Sequence, residues 1–574
     1  MKFLPILLLA LLVTGCAGTA VNDNTPATSA QAGAATPFSQ PTLPDGEFEP
    51  QVLYQLLVAE LAGQRGEMGV AVVNYLAAAK ESRDVQIAER AARIAIYAQA
   101  LEQALEAAQL WVELAPNDPN ARQTLAPLLL TFGRAPEAIE HYQRFIALST
   151  DRADQGFLQI SAQLARDKNA IAALSVMDKL MEGHDDNPYA WLGHAQLTMR
   201  QAKLDVAMQS TQRALELKPH WSPAVVMRAR LLSLQGDKGA AIDYLKEELD
   251  GDLEGDVAVG LSYARLLAET EQLEKARDEF ERLAKQAPRN AEVHYAAGVL
   301  ALQLKDLDKA EQHLKRVLRL GQHLLESSYY LGRIAEQRGD IETALKRYFA
   351  VRHGNYYLSA QSRAANLLAA EGKLDQAREH LHSLQVSTPQ EKSQLYLVEG
   401  ELLRNAGLYK EALAFFSDKL KEMPDDTALR YARALVAEKA DDLDTAEKDL
   451  RMIIEREPSN AQALNALGYT LADRTERLDE ALGYIQRALE VEPNDAAIID
   501  SMGWVQYRLG NMDKAVELLR HALELIKDPE IAAHLGEVLW KMGNKRDALE
   551  VLESALREHP KHDALLDAMK RLGL

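Results

Sequence analysis

A small residue returns along this chain at almost constant spacing, and that periodicity constrains the fold more than any other feature. Ala71, Ala104, Ala138, Ala173, Ala207, Ala241, Ala276, Ala310, Ala344, Ala377, Ala412, Ala446, Ala481, Ala515 and Ala548 follow one another at intervals of 33, 34 or 35 residues. One or two such intervals would mean little in an alanine-rich chain; an unbroken series of this length defines a repeat. A unit so short cannot bury its apolar face alone, so it must stack on its neighbours. At 574 residues, length alone would suggest several separate cores. The periodicity replaces them with an array that grows unit by unit.

The final unit, residues 529–562, carries the pattern most cleanly. Counting from Pro529, Gly536 is eighth, Gly543 fifteenth, Ala548 twentieth, Ala555 twenty-seventh and Pro560 thirty-second. These offsets resemble the tetratricopeptide repeat, a helix–turn–helix of about 34 residues. A small residue at eight with alanine at twenty lets the two helices approach closely. Glycine at fifteen accepts the left-handed conformation that ends a helix. Proline at thirty-two cannot continue a helix interior and separates one unit from the next. Gly66, Gly133, Gly236, Gly339, Gly372, Gly407, Gly510 and Gly543 all fall at fifteen, and Pro116, Pro219, Pro288, Pro389, Pro424, Pro458 and Pro560 at thirty-two, with Pro493 one place later. Position eight is Ala264, Gly298, Gly332, Gly400, Gly468, Gly503 or Gly536. The resemblance implies an all-α fold, a tetratricopeptide-repeat superhelical solenoid of about 13–15 helix–turn–helix units with a C-terminal capping helix.

The expected units begin at 52, 85, 119, 154, 188, 222, 257, 291, 325, 358, 393, 427, 461, 496 and 529. In the last, apolar spacing predicts helices near Glu530–Lys541 and Lys545–Glu558. Asp528-Pro529, Asn187-Pro188 and Ser222-Pro223 read as N-cap and first-turn signals. Residues 563–574, with Leu565, Leu566, Met569 and Leu572, read as a closing helix. Two stretches depart from the pattern. Residues 48–84 lack the closing proline and read as either a helical preface or a repeat. Residues 154–187 have Ser161 at position eight and no turn glycine, which predicts a kink or a changed pitch.

The N-terminus has a different character. Lys2 followed by the apolar run Phe3–Val13 reads as a secretory signal over residues 1–15, too short to span a bilayer. It ends in Val13-Thr14-Gly15-Cys16, which resembles a bacterial lipobox, and Cys16 is the only cysteine in the chain. That resemblance implies cleavage before Cys16, thioether attachment of a diacylglyceryl group and acylation of the new amino terminus. Two or three acyl chains suffice for stable anchoring. Ala17 in place of aspartate resembles sorting to the outer membrane, with the chain facing the periplasm. Residues 16–47 read as the lipidated cysteine and a linker of Ala, Thr, Ser, Gln, Pro and Gly that buries no core. The solenoid is expected over 48–562, and without other cysteines packing alone must hold it.

A net charge of −20, from 65 basic and 85 acidic residues, argues against nucleic acid or an anionic membrane surface as principal partner. No Gly-x-Ser-x-Gly, Walker A, dinucleotide-type glycine loop or His-Glu-x-x-His occurs. His380 and His382 lie two apart on an expected helix and face different ways. His559 and His562 flank a proline turn. Residues Gly251 to Asp256 read as a solvated turn rather than a calcium loop. No enzyme activity, metal, cofactor or small-molecule substrate is expected.

The repeat resemblance places positions two, five, nine and twelve of each first helix on the concave side. Those positions supply the candidate binding residues Tyr295, Tyr329, Arg333, Tyr431, Tyr469, Trp504, Tyr507 and Trp540, with Arg230, Arg265 and Arg404 among them. Tyr, Trp and Arg are the side chains most enriched at binding hot spots; the other reading is that these aromatics pack against the next helix. The Lys/Asn/Arg pattern that clamps a terminal carboxylate is absent, since positions five and nine pair Asn465 with Tyr469 and Asp500 with Trp504. Lipobox, linker and a long array together resemble the outer-membrane tetratricopeptide lipoproteins that serve as adaptors for a periplasmic carboxyl-terminal processing protease. That likeness implies binding the protease and presenting substrates, including peptidoglycan hydrolases. The alternative is a scaffold for outer-membrane assembly, such as secretin piloting or exopolysaccharide export.

Overall fold

The computed structural model describes residues 49–149, 153–167 and 169–574, and all regular structure among them is helical. Two compact units divide the chain after Gln322. The first holds α1 (Pro50–Gln64), α2 (Met68–Ser82), α3 (Val85–Tyr97), α4 (Leu101–Leu114), α5 (Pro119–Thr131), α6 (Ala135–Leu148), α7 (Ala153–Leu164) and α8 (Ala170–Met181). It continues with α9 (Pro188–Arg200), α10 (Leu204–Leu217), α11 (Ser222–Leu234), α12 (Lys238–Asp250), α13 (Val257–Glu269), α14 (Leu273–Gln286), α15 (Ala291–Gln303) and α16 (Leu307–Leu320). The second begins with α17 (Leu324–Gln337), α18 (Ile341–Phe349), α19 (Tyr357–Ala370), α20 (Leu374–Ser383), α21 (Pro389–Asn405), α22 (Tyr409–Glu422), α23 (Thr427–Lys439) and α24 (Leu443–Arg456). It ends with α25 (Ala461–Arg474), α26 (Leu478–Val491), α27 (Ala496–Arg508), α28 (Met512–Leu525), α29 (Pro529–Lys541), α30 (Lys545–Glu558) and α31 (Asp563–Leu572). Odd-numbered helices open a repeat, even-numbered ones close it, and α31 caps the last pair by packing on α29.

The repeating alanines explain the closeness of each pair. All fifteen are at most 2 % exposed, so the closing helix meets its partner through a methyl group and nothing larger fits. Position eight answers from the other side. A Cβ built on Gly332 would lie 2.6 Å from the Tyr348 ring, and one on Gly536 2.5 Å from Leu552. Asp84, Asp118, Asn187, Asp256, Asn290, Asp426, Asn460, Asp495 and Asp528 each accept a backbone N–H in the first turn of an opening helix. Those side chains satisfy donors that a helix start leaves without partners.

All eight glycines of position fifteen have positive φ. Gln99, Ala202, Glu271, Lys305 and Asp441 occupy the same place in other repeats with φ between 57° and 64°, because the turn closes in the same way whatever the side chain. After α9, Lys203 N donates to Thr198 O at 3.0 Å and Ala202 N to Met199 O at 3.0 Å, a Schellman closure. An L-residue there carries a steric cost of about 1–2 kcal/mol. Ala202→Gly is therefore expected to stabilise the first unit by about 0.5–1 kcal/mol after the added unfolded-state entropy of glycine. Urea unfolding of the two chains checks it.

Some expectations change. Pro389 does not close a repeat; it is the first residue of α21, behind a capping box between Thr388 and Glu391. The pyrrolidine ring is compatible with a first helical turn, and the reciprocal cap fixes the start there. Ser222 does not cap α11. Trp221 is the N-cap residue, and the Ser222 hydroxyl instead donates to Asp256 Oδ1 at 3.1 Å. Over 154–187 the anomaly is one of pairing: α7 packs mainly on α9 rather than on α8. Ser161 lies against Gly193, and its hydroxyl donates to Gln196 Oε1 at 2.7 Å. Residues 50–82 form a full helix pair with a left-handed turn at Gly66.

Candidate interaction face of the second unit

The opening helices of the second unit hold four of the eight candidate residues in two groups: Tyr431 at a cavity, and Tyr469, Trp504 and Tyr507 around a buried histidine. Leu397, Glu401 and Arg404 of α21, Tyr431 and Leu435 of α23, and Gln462 of α25 line a cavity of about 540 Å³. These are the positions two, five, nine and twelve that the repeat assigns to a binding face. The floor is apolar and Leu435 is exposed, while Arg404 pairs with Glu401 at 3.4 Å on the wall. Burial raises the Tyr431 phenol above its ordinary value, so it serves as a neutral hydrogen-bonding aromatic. A half-buried Tyr beside an exposed Leu gives a partner both apolar area and a polar handle.

Tyr469, Trp504 and Tyr507 sit further along the same set of helices, around a histidine that the repeat pattern does not single out. His534 Nδ1 lies 3.0 Å from both carboxylate oxygens of Asp500, its ring stacks on Trp504 at 4.4 Å, and its Nε2 is 3.3 Å from the Tyr469 hydroxyl. Trp504 Nε1 donates to Asp473 Oδ1 at 3.2 Å, and Tyr507 lies against the Trp504 ring at 5.0 Å. Burial pushes the His534 ring toward neutrality, but the Asp500 charge and hydrogen bond, reinforced by Glu530 and Asp473, raise it above the ordinary 6.5. When protonated, the ring donates at both nitrogens, to Asp500 and to Tyr469. Burial first, and then the carboxylates of Asp473, Glu530 and Asp500, push the Tyr469 phenol far upward. His534 stands at position six, outside the four offsets of the binding face; its sequence signal is an acidic residue at position five of the preceding opening helix.

The other candidates are dispersed. Tyr295 is buried on α15 in the first unit. Tyr329 is buried on α17 and stacks on Tyr356 at 4.6 Å. Arg333, on the same helix, is half-buried. Trp540 is half-buried at the end of α29 with Lys545 Nζ 5.0 Å above its ring. Trp504 is also buried, so it holds the face together from beneath. Cys16 lies outside the described residues. His382 meets Glu399 at 2.8 Å while His380 packs on Phe349. No group of three or more His, Cys, Asp or Glu side chains placed to hold a metal occurs among the described residues, and no described helix is long and apolar enough to cross a membrane.

Comparison with known proteins identifies the repeat. Tetratricopeptide-repeat profiles match residues 262–324, 358–383, 431–497, 498–533 and 534–568. A TPR repeat-containing protein of Pseudomonas aeruginosa is 35 % identical over 492 residues, covering 86 % of this chain and 83 % of that protein. A CTR9 homologue of Arabidopsis thaliana is 26 % identical over 167 residues, 29 % of this chain and 15 % of that protein. A solved thermophilic TPR protein of Thermus thermophilus is 30 % identical, covering 31 % of this chain and 96 % of its own, at a TM-score of 0.29. Such repeats are protein-interaction scaffolds. Periodic helix pairs, left-handed turns and a relative matched over most of both lengths lead to one conclusion: the chain belongs to the tetratricopeptide-repeat family.

Proposed function

We propose that this chain is a lipid-anchored adaptor of the periplasm, held to the outer membrane through acylated Cys16, that binds a carboxyl-terminal processing protease and presents cell-wall hydrolases to it. The observation that carries the binding role is the cavity between α21, α23 and α25, where Tyr431, Leu435 and Leu397 offer apolar area beside Arg404 and Glu401. The lipobox sequence and the absence of a catalytic motif in the chain support the anchored, non-enzymatic part. The mechanism is proximity: anchoring confines the scaffold to a surface, and holding enzyme and substrate on one array raises their effective concentration.

Crosslinked pull-down from the native envelope tests the reading, with Cys16→Ala separating the anchor from the binding. Protease and peptidoglycan hydrolases are expected among the captured proteins; secretion or export machinery in their place would assign the scaffold to assembly instead. The purified chain is expected to hydrolyse nothing alone and to accelerate the protease. Tyr431→Ala combined with Leu435→Ala is expected to weaken capture at least ~10-fold, since a central aromatic anchor is worth about 2 kcal/mol or more. Titration calorimetry with the captured partner reads this directly.

A further inference from the structure

α1 is apolar on two opposite sides. Val52, Gln55, Ala59 and Ala62 are buried against the neighbouring helices. Leu53, Tyr54, Leu57 and Leu61 stand 49, 61, 55 and 53 % exposed. At about 100° per residue, the exposed arc centres on Leu57 and lies opposite the buried one. A surface helix carries one apolar stripe toward the core, and α1 carries a second one on its exposed side. In later repeats the opening helix packs on the closing helix of the repeat before it, as α3 does on α2 and α5 on α4. α1 keeps the side chains for such a contact, and among the described residues no helix precedes it to receive them. The last repeat is covered by α31, whose exposed side carries Asp567, Lys570 and Arg571 beside the single large apolar residue Leu566.

We propose that this face of α1 is the contact through which two copies of the chain associate, antiparallel about a two-fold axis at Leu57. The helix is self-complementary under that operation. Leu57 meets its own counterpart, Leu53 meets Leu61 of the second copy, and Glu49 at the N-cap meets Arg65 at the C-cap. Glu49 and Arg65 are both exposed, and the structure gives neither an ion pair among the described residues. Residues 49, 53, 57, 61 and 65 form a single i+4 ridge. Two such ridges lie side by side when helices cross at about −50°, so the whole row is used in one contact. A symmetric contact of this kind closes on itself and stops at two copies.

Other occupants fit less well. Residues 17–47 of the chain hold only Val21, Phe38 and Leu43 as large apolar side chains, interspersed with four prolines, too little to cover four large exposed side chains. An anionic lipid surface would meet Glu49, Glu60 and Glu67 with only Arg65 in favour. One pair of four-turn helices makes a small interface, so association near ~10 μM is expected.

Cysteine crosslinking of the full chain in detergent extracts tests the contact. Cys16 is the only native thiol, and parallel runs on the wild-type chain correct for it. Leu57→Cys is expected to give a disulfide-linked homodimer, whereas Ile171→Cys, 79 % exposed on α8, stays monomeric at the same concentration. In the Leu57→Cys background, Glu49→Arg is expected to lower the dimer yield at least ~5-fold, and Glu49→Arg with Arg65→Glu to restore it. Restoration by the double exchange separates a lost contact from a misfolded helix. Crosslinking no faster than Ile171→Cys, or no recovery on the charge exchange, overturns the proposal. So does protection of α1 that persists in the monomer and vanishes on deleting residues 17–47, or that needs anionic vesicles.

Discussion

Asp500→Ala is expected to destabilise the C-terminal repeats by about 3–5 kcal/mol, because it leaves the His534 ring buried with its charge partner removed. Asp500 and His534 are each 6 % exposed, so water cannot replace the lost carboxylate without opening the contact between α27 and α29. Asp500→Asn keeps the shape and removes the charge, and it separates the electrostatic part from packing. The pH dependence has a definite sign. His534 is raised above its ordinary 6.5 in the folded chain, so its contribution to stability is fully present below that value and lost as pH rises through the folded one. Unfolding of the wild-type chain is expected to become easier over that interval, and the Asp500→Asn chain is expected to lack this component. Urea unfolding from pH 5.5 to 9, with the His534 ring followed by NMR, measures both. A His534 titration below 6.5 in the wild-type chain would contradict the assignment.

Gly400→Ala is expected to cost about 3 kcal/mol, against the usual rule for a helix interior. On propensity alone alanine would gain about 1 kcal/mol over glycine. Here a Cβ would overlap the outer edge of the Phe416 ring, which is buried on α22. To make room the helices must part or the ring must leave its rotamer, swinging toward the cavity that it borders with Gly400. Gly483 on α26 provides the opposite case, since an added methyl group there would meet nothing within 4 Å; Gly483→Ala is expected to stabilise by about 0.5–1 kcal/mol. Phe416→Leu should recover part of the Gly400→Ala loss, because it removes the atoms in conflict. Hydrogen exchange localises the damage: protection is expected to fall across α21 and α22 and much less in distant repeats, since a stacked array couples mainly nearest neighbours.

The repeat pattern is legible because its signals are local or nearly so. Position fifteen follows from the backbone of one turn, and the helices of the last unit run from Pro529 to Lys541 and from Lys545 to Glu558, within a residue of where apolar spacing puts them. Ser222 and Pro389 depart from expectation because a helix start can be built in more than one way from the same residue types. The long-range polar contacts have no such local signal. Asp449 is fully buried yet accepts from Arg433 at 2.7 Å and Arg430 at 3.3 Å. Glu399 is buried between Arg378 at 2.9 Å and His382 at 2.8 Å.

By itself, then, the sequence determined the unit, the places where each unit turns, and the small residues that let two helices touch, because each depends on the steric needs of one turn or one helix pair. Only the tertiary structure decided which aromatics line an open cavity and which support it from beneath, since that depends on how neighbouring repeats are stacked. Tyr431 at position five and Trp504 at position nine both belong to the expected binding face, yet one borders the cavity and the other is sealed under His534. The same holds for the pairing of His534 with Asp500, which are 34 residues apart in the chain and 3.0 Å apart in space.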